Sequence, residues 1–100
     1  MKHVVLLKFR PDVNDATVSE LMEQLASLKQ DIPGILSFEY GHYQSHEGLN
    51  QNFNTGFIMR FDHAQSRDGY LEHPKHKMIA EKIKHYLISF PEGVVAFDFE

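Results

Sequence analysis

The sequence predicts an α+β domain: a four-stranded antiparallel sheet with helices on one face and a second copy of the same sheet on the other. Three observations lead there. The chain has 100 residues, which suits one domain with one modest core, residues 1–100. Its apolar periodicity switches between two and three-to-four in the order strand, helix, strand, strand, helix, strand. Its strands carry apolar side chains on both sides, so both sheet faces need cover.

The elements follow in chain order. Residues 3–9, HVVLLKF, are β-branched and aliphatic and stop at Pro11, which reads as a strand. Val18, Leu21, Met22, Leu25 and Leu28 then recur at helical spacing, with Asn14 or Asp15 placed to cap the start and Pro33-Gly34 to close the segment. Residues 35–43 alternate Leu36, Phe38 and Tyr40 against Ser37 and Glu39, the period of a second strand. The polar stretch 44–52 is a loop. Residues 53–61 form a third strand, in which Gly56 marks a bulge or a close approach. A short helix over about 63–71 precedes a longer one opened by Pro74, whose Ile79, Ile83, Tyr86 and Leu87 make one apolar stripe. Residues 94–99, VVAFDF, close the chain as a fourth strand.

That order is the split βαβ pattern of ferredoxin-like domains. Val4 and Leu6 oppose Val5, Leu7 and Phe9 across the first strand, and Phe97 and Phe99 oppose Val94 and Ala96 across the last. Helices cover one side only. The other is expected to meet its own copy in a symmetric homodimer, two sheets wrapping into an α+β barrel and burying at least about 1,000 Å² in total.

Charge and composition exclude several function classes. A formal net charge of −4 argues against nucleic acid, which needs clustered cations to displace counterions. The densest basic group, Lys75, Lys77, Lys82 and Lys84, is interleaved with Glu72 and Glu81 and reads as a solvated helix face. The absence of cysteine excludes thiol chemistry and fits a cytoplasmic protein. No stretch is long enough for a membrane span, and the apolar run near the start is too short for a signal peptide.

Chemistry concentrates in YLEHPKHK, residues 70–77. Proline favours the first helical position and biases its predecessor away from helical angles, so His73 caps the long helix and Pro74 begins it. His76 then falls on the inward stripe three and seven residues before Ile79 and Ile83. The bend at His73-Pro74 allows the Tyr70 phenol and the His76 imidazole to converge. A helix start and apolar surroundings both lower a histidine's proton affinity, leaving His76 neutral as a base, while Tyr70 can polarise or protonate a carbonyl oxygen. The competing reading is a histidine satisfied by a backbone carbonyl beside a packing tyrosine.

His3 shares a strand side with Val5, Leu7 and Phe9, either as a cavity wall or as part of a frayed end. His42, His46, His63 and His85 read as surface residues. Seven histidines without a ligand spacing such as HExxH give no metal site, and neither a phosphate loop nor a GxSxG elbow is present. No cofactor is expected.

Together KHVVLLKF, IPGILSFEYG, YLEHPKH and VVAFDF resemble the Dabb family, the stress-responsive A/B barrel domain, over about residues 3–99. The resemblance implies a ferredoxin-like protomer in a homodimeric α+β barrel that binds a small apolar carbonyl ligand of unassigned identity. The family includes plant stress-induced proteins and a polyketide cyclase in which a tyrosine and a histidine spaced like Tyr70 and His76 are the catalytic pair. It also implies substrate-binding positions at His3 and at Thr55, the latter standing where the cyclase has a further cavity histidine. A cyclase- or lyase-like enzyme is thus the alternative to a binding protein. The wider barrel superfamily adds haem-binding and quinol-oxidising monooxygenases, in which an inward histidine could ligate iron.

Overall fold

The computed structural model describes all residues, Met1–Glu100. Strands β1 (Lys2–Leu7), β2 (Ile35–His42), β3 (Thr55–Phe61) and β4 (Val94–Phe99) form one sheet in the order β2-β3-β1-β4. Every neighbouring pair is antiparallel. Helices α1 (Asp15–Ser27), α2 (Ala64–Glu72) and α3 (Pro74–Lys84) complete the ferredoxin-like α+β fold, with a short 3₁₀ turn at Leu28–Gln30. No helix is long and apolar enough to cross a membrane.

Local chemistry explains the boundaries. The Asn14 side chain accepts from the Thr17 amide at 2.8 Å, which satisfies an otherwise orphan donor at the start of α1. His73 plays the same part for α3, its Nδ1 accepting from the Lys75 amide at 3.1 Å, with Pro74 next in line. Its extended ψ of 133° turns the chain between α2 and α3.

Gly34 has φ +94°, and an added Cβ would lie 2.3 Å from Ser66 Oγ. Both the left-handed backbone and the close approach of α2 therefore demand glycine there. The sheet irregularity expected at Gly56 lies instead in β2, between Ile35 and Ser37. Gly56 holds its register against Leu6, and a Cβ at this position would meet Leu6 Cδ2 at 3.1 Å. It is the close approach, not the bulge.

The core lies between the sheet and the helices. Val5, Leu7, Phe57, Met59 and Phe61 project from β1 and β3 against Leu21, Met22 and Leu25 of α1 and Ile79 and Ile83 of α3. The opposite face is apolar and uncovered in the protomer: Leu6 is 39% exposed, Phe97 66% and Phe99 46%. The rings of Phe97 and Phe99 lie 6.2 Å apart on β4. Strand alternation thus yields one dry face and one oily exposed face, as the two-sided strands require.

Candidate functional site

α2 ends and α3 begins at the His73-Pro74 turn, and this turn folds His76 back over Tyr70. Their ring centroids are 4.2 Å apart, tilted by 43°. Tyr70 is fully buried, also packing on Phe61 at 5.3 Å, whereas His76 is half-buried. The Nδ1 of His76 lies 3.3 Å from the Leu71 carbonyl oxygen. A carbonyl can only accept, so Nδ1 carries the proton and Nε2 of the neutral ring keeps its lone pair. The backbone-tied histidine and the chemically competent one are therefore the same residue: one nitrogen is anchored and the other is free.

Tyr70, His76 and His3 all line one cavity of about 160 Å³ beneath α3. Eleven of its fourteen lining residues are hydrophobic, among them Leu25, Phe57, Ile83 and Phe90. That volume is below the roughly 300 Å³ at which drug-sized pockets begin, so any occupant is small. Lys84 also borders the cavity, with its Nζ 4.3 Å from the centroid of the Phe90 ring and 3.0 Å from Glu81 Oε1.

The surroundings set the charge states. Desolvation lowers the proton affinity of His76, the nearby His3, His73 and Lys77 act in the same direction, and the Leu71 carbonyl opposes them. Burial pushes the Tyr70 phenol well above its ordinary value, so it stays protonated at neutral pH. The cavity thus offers one neutral acceptor and one neutral donor.

His3 belongs to the wall and is no frayed end. It is buried on interior strand β1, and its ring lies edge-on to Phe57, Phe61 and Tyr70 at 6.0, 6.4 and 5.9 Å. Its Nδ1 lies 2.7 Å from Asp98 Oδ1, and Arg67 of α2 reaches the other oxygen of that carboxylate at 2.5 Å. The sequence alone did not single out Asp98 and Arg67. The alternation of β4 places Asp98 on the helix-facing side with Val94 and Ala96, but its meeting with His3 depends on the β1–β4 register.

Thr55 does not join this group. It is buried at the start of β3, opposite Leu7, and is not among the residues that line the cavity. Its hydroxyl turns to Asn54 Oδ1 at 3.3 Å and His42 Nδ1 at 3.5 Å, beside a separate depression near the 43–54 loop. His42, His46, His63 and His85 are exposed, as expected.

The model of the stress responsive A/B barrel domain, Dabb, matches residues 1–100. The chain belongs to the Dabb family. This Dabb domain is 31% identical over 100 residues to the stress-response A/B barrel domain-containing protein At5g22580 of Arabidopsis thaliana, covering 94% of this chain and 87% of that protein. It is 21% identical over 99 residues to olivetolic acid cyclase of Cannabis sativa, covering 99% and 94%. Among solved structures, a dimeric ferredoxin-like protein of unknown function from Jannaschia sp. CCS1 superposes with a TM-score of 0.88 at 23% identity, covering 99% of this chain and 96% of that one. The fold expectation is thereby met by the Dabb domain's own topology and by its neighbours.

Proposed function

We propose that this Dabb domain is a symmetric homodimer in which each protomer's cavity binds a small apolar carbonyl compound, with Tyr70 donating to the carbonyl oxygen. The observation that carries the proposal is the convergence of Tyr70, His76 and His3 on a single, otherwise apolar cavity. A phenol and two imidazoles in such a lining are costly to leave without partners, and a polar ligand group offsets that cost. The helix-free face supports the dimer, because Leu6, Val95, Phe97 and Phe99 form an apolar patch of the kind monomers seldom leave uncovered. The cysteine-free chain suits the reducing cytoplasm.

Calorimetric titration with acetophenone tests the binding, with ethylbenzene as a control of similar shape that lacks the carbonyl. Saturable binding of acetophenone at one site per protomer, weakened in Tyr70→Phe, is expected. Equal affinity for both compounds, or no heat up to millimolar concentration, contradicts it.

A second reading has its own support. The lowered proton affinity of His76 beside a protonated Tyr70 is the arrangement a cyclase- or lyase-like enzyme needs to remove a proton next to a carbonyl while stabilising the developing oxyanion. The distant likeness to olivetolic acid cyclase agrees with it. Exchange of the acetophenone methyl protons for solvent deuterium, followed by proton NMR, reads that step directly. Exchange faster with the protein than with His76→Ala supports catalysis, and equal rates leave a binding protein.

A further inference from the structure

β1 and β4 are adjacent and antiparallel, and their register sets His3 directly across from Asp98 with both side chains on the helix-facing side. Cross-strand partners of this kind are close enough for side-chain contact. Here the contact is the 2.7 Å hydrogen bond from His3 Nδ1 to Asp98 Oδ1. The second carboxylate oxygen accepts from Arg67, which stands one helical turn before Tyr70 on α2 and also pairs with Asp68 at 2.9 Å. Both oxygens of Asp98 are therefore committed, and its carboxylate has no freedom to rotate without losing one partner.

A carboxylate at Nδ1 selects the tautomer with its proton on that nitrogen, which leaves Nε2 bare. Arg67 binds the other oxygen of Asp98 and so fixes the carboxylate that makes this selection. Burial raises the Asp98 carboxyl, but the hydrogen bonds from His3 and Arg67 outweigh it and hold the group below its ordinary value. The other titratable groups around His3 are Tyr70 on α2 and His76 and Lys84 on α3, while β3 presents the non-titrating Phe57, Met59 and Phe61. Every fully buried side-chain nitrogen and oxygen has a partner. Nε2 of His3 makes no protein hydrogen bond, and His3 lines the cavity.

We infer that Arg67 is a positioning residue: by clamping Asp98 it holds the His3 ring with Nδ1–H donating to the carboxylate and Nε2 as a second acceptor in the cavity that His76 already serves. A ligand there meets one phenol donor and two imidazole acceptors. Only the last step rests on the cavity's being the ligand site, since the tautomer of His3 is a property of the free protein.

Ring-nitrogen NMR of the uniformly ¹⁵N-labelled free protein at pH 7 tests it without a ligand. The wild-type His3 signals are expected to show a protonated Nδ1 and a bare Nε2. In Arg67→Met the carboxylate is free to turn and the His3 signals divide between tautomers, and Arg67→Lys restores most of the single form. In Asp98→Asn the side-chain amide donates to Nδ1 and moves the proton to Nε2. A wild-type ring that is charged or protonated at Nε2, or an Arg67→Met spectrum identical to wild type, overturns the inference. Should Arg67→Met fail to fold, the Asp98→Asn and Arg67→Lys spectra still decide it. Failure of acetophenone to bind leaves this result untouched, so the two ideas fail separately.

Discussion

The imidazole of His76 rests against the phenol ring of Tyr70 with centroids 4.2 Å apart, although the two residues belong to different helices. The turn at His73-Pro74 makes this possible. A straight helix would splay residues six positions apart by about 120° around its axis, whereas the extended ψ of His73 reverses that divergence. The anchor on the Leu71 carbonyl then fixes which His76 nitrogen is left free to accept.

Replacing Tyr70 with phenylalanine separates packing from chemistry. The ring is fully buried against Phe61 and His76, so Tyr70→Phe is expected to keep stability within about 0.5 kcal/mol. One lost hydrogen bond to a ligand carbonyl costs about 1 kcal/mol, or roughly fivefold in affinity. Tyr70→Ala should instead destabilise by about 3–5 kcal/mol through the cavity it leaves. Urea unfolding and acetophenone titration of both variants provide the check.

His76 links stability to pH. Its folded proton affinity lies below the ordinary value of 6.5, chiefly through desolvation, so in that window the unfolded chain binds more protons than the folded one. Its contribution is fully present above the unfolded value and is lost as pH falls through the lower folded value. The prediction is that the wild type loses more stability than His76→Gln between pH 7 and pH 5. Parallel denaturation curves across that range test it, and identical slopes would contradict the burial argument.

Phe97→Asp should dissociate the proposed dimer without unfolding the protomer. Phe97 is 66% exposed and lies on the helix-free face, so a carboxylate there is solvated in the monomer and buried without a partner in the dimer. Sedimentation at low micromolar concentration should show a dimer for the wild type and a monomer for the variant, with unchanged circular dichroism. A monomeric wild type would remove the barrel from the account.

At Gly34 the strain is local and needs no partner. An alanine there must keep φ near +94° while its methyl group displaces Ser66, and both effects destabilise the folded state by more than about 1 kcal/mol. Thermal unfolding of Gly34→Ala measures the loss.

Much of this was legible in the chain because it is written in local patterns. VVAFDF gave β4 at its observed bounds, Asn14 is the one of the two candidates with Asp15 that caps α1, His73 caps α3 as read, and the HP pair gave the bend that joins Tyr70 to His76. What was not legible depends on register. Asp98 lies 95 positions from His3 and 31 from Arg67, and no periodicity along one segment reports which residues face each other across two strands. The same limit explains Thr55. Its place in the third strand was read correctly, but which side chains of that strand reach the cavity is set by packing across the sheet and helices.

A crystal of the protein soaked with acetophenone tests the central claim most directly. Density for one molecule in each protomer's cavity, its carbonyl oxygen within about 3 Å of the Tyr70 hydroxyl and its ring against Phe57 and Leu25, is the predicted result. An empty cavity at saturating ligand, or a ligand seated only on the Phe97 face, would contradict it.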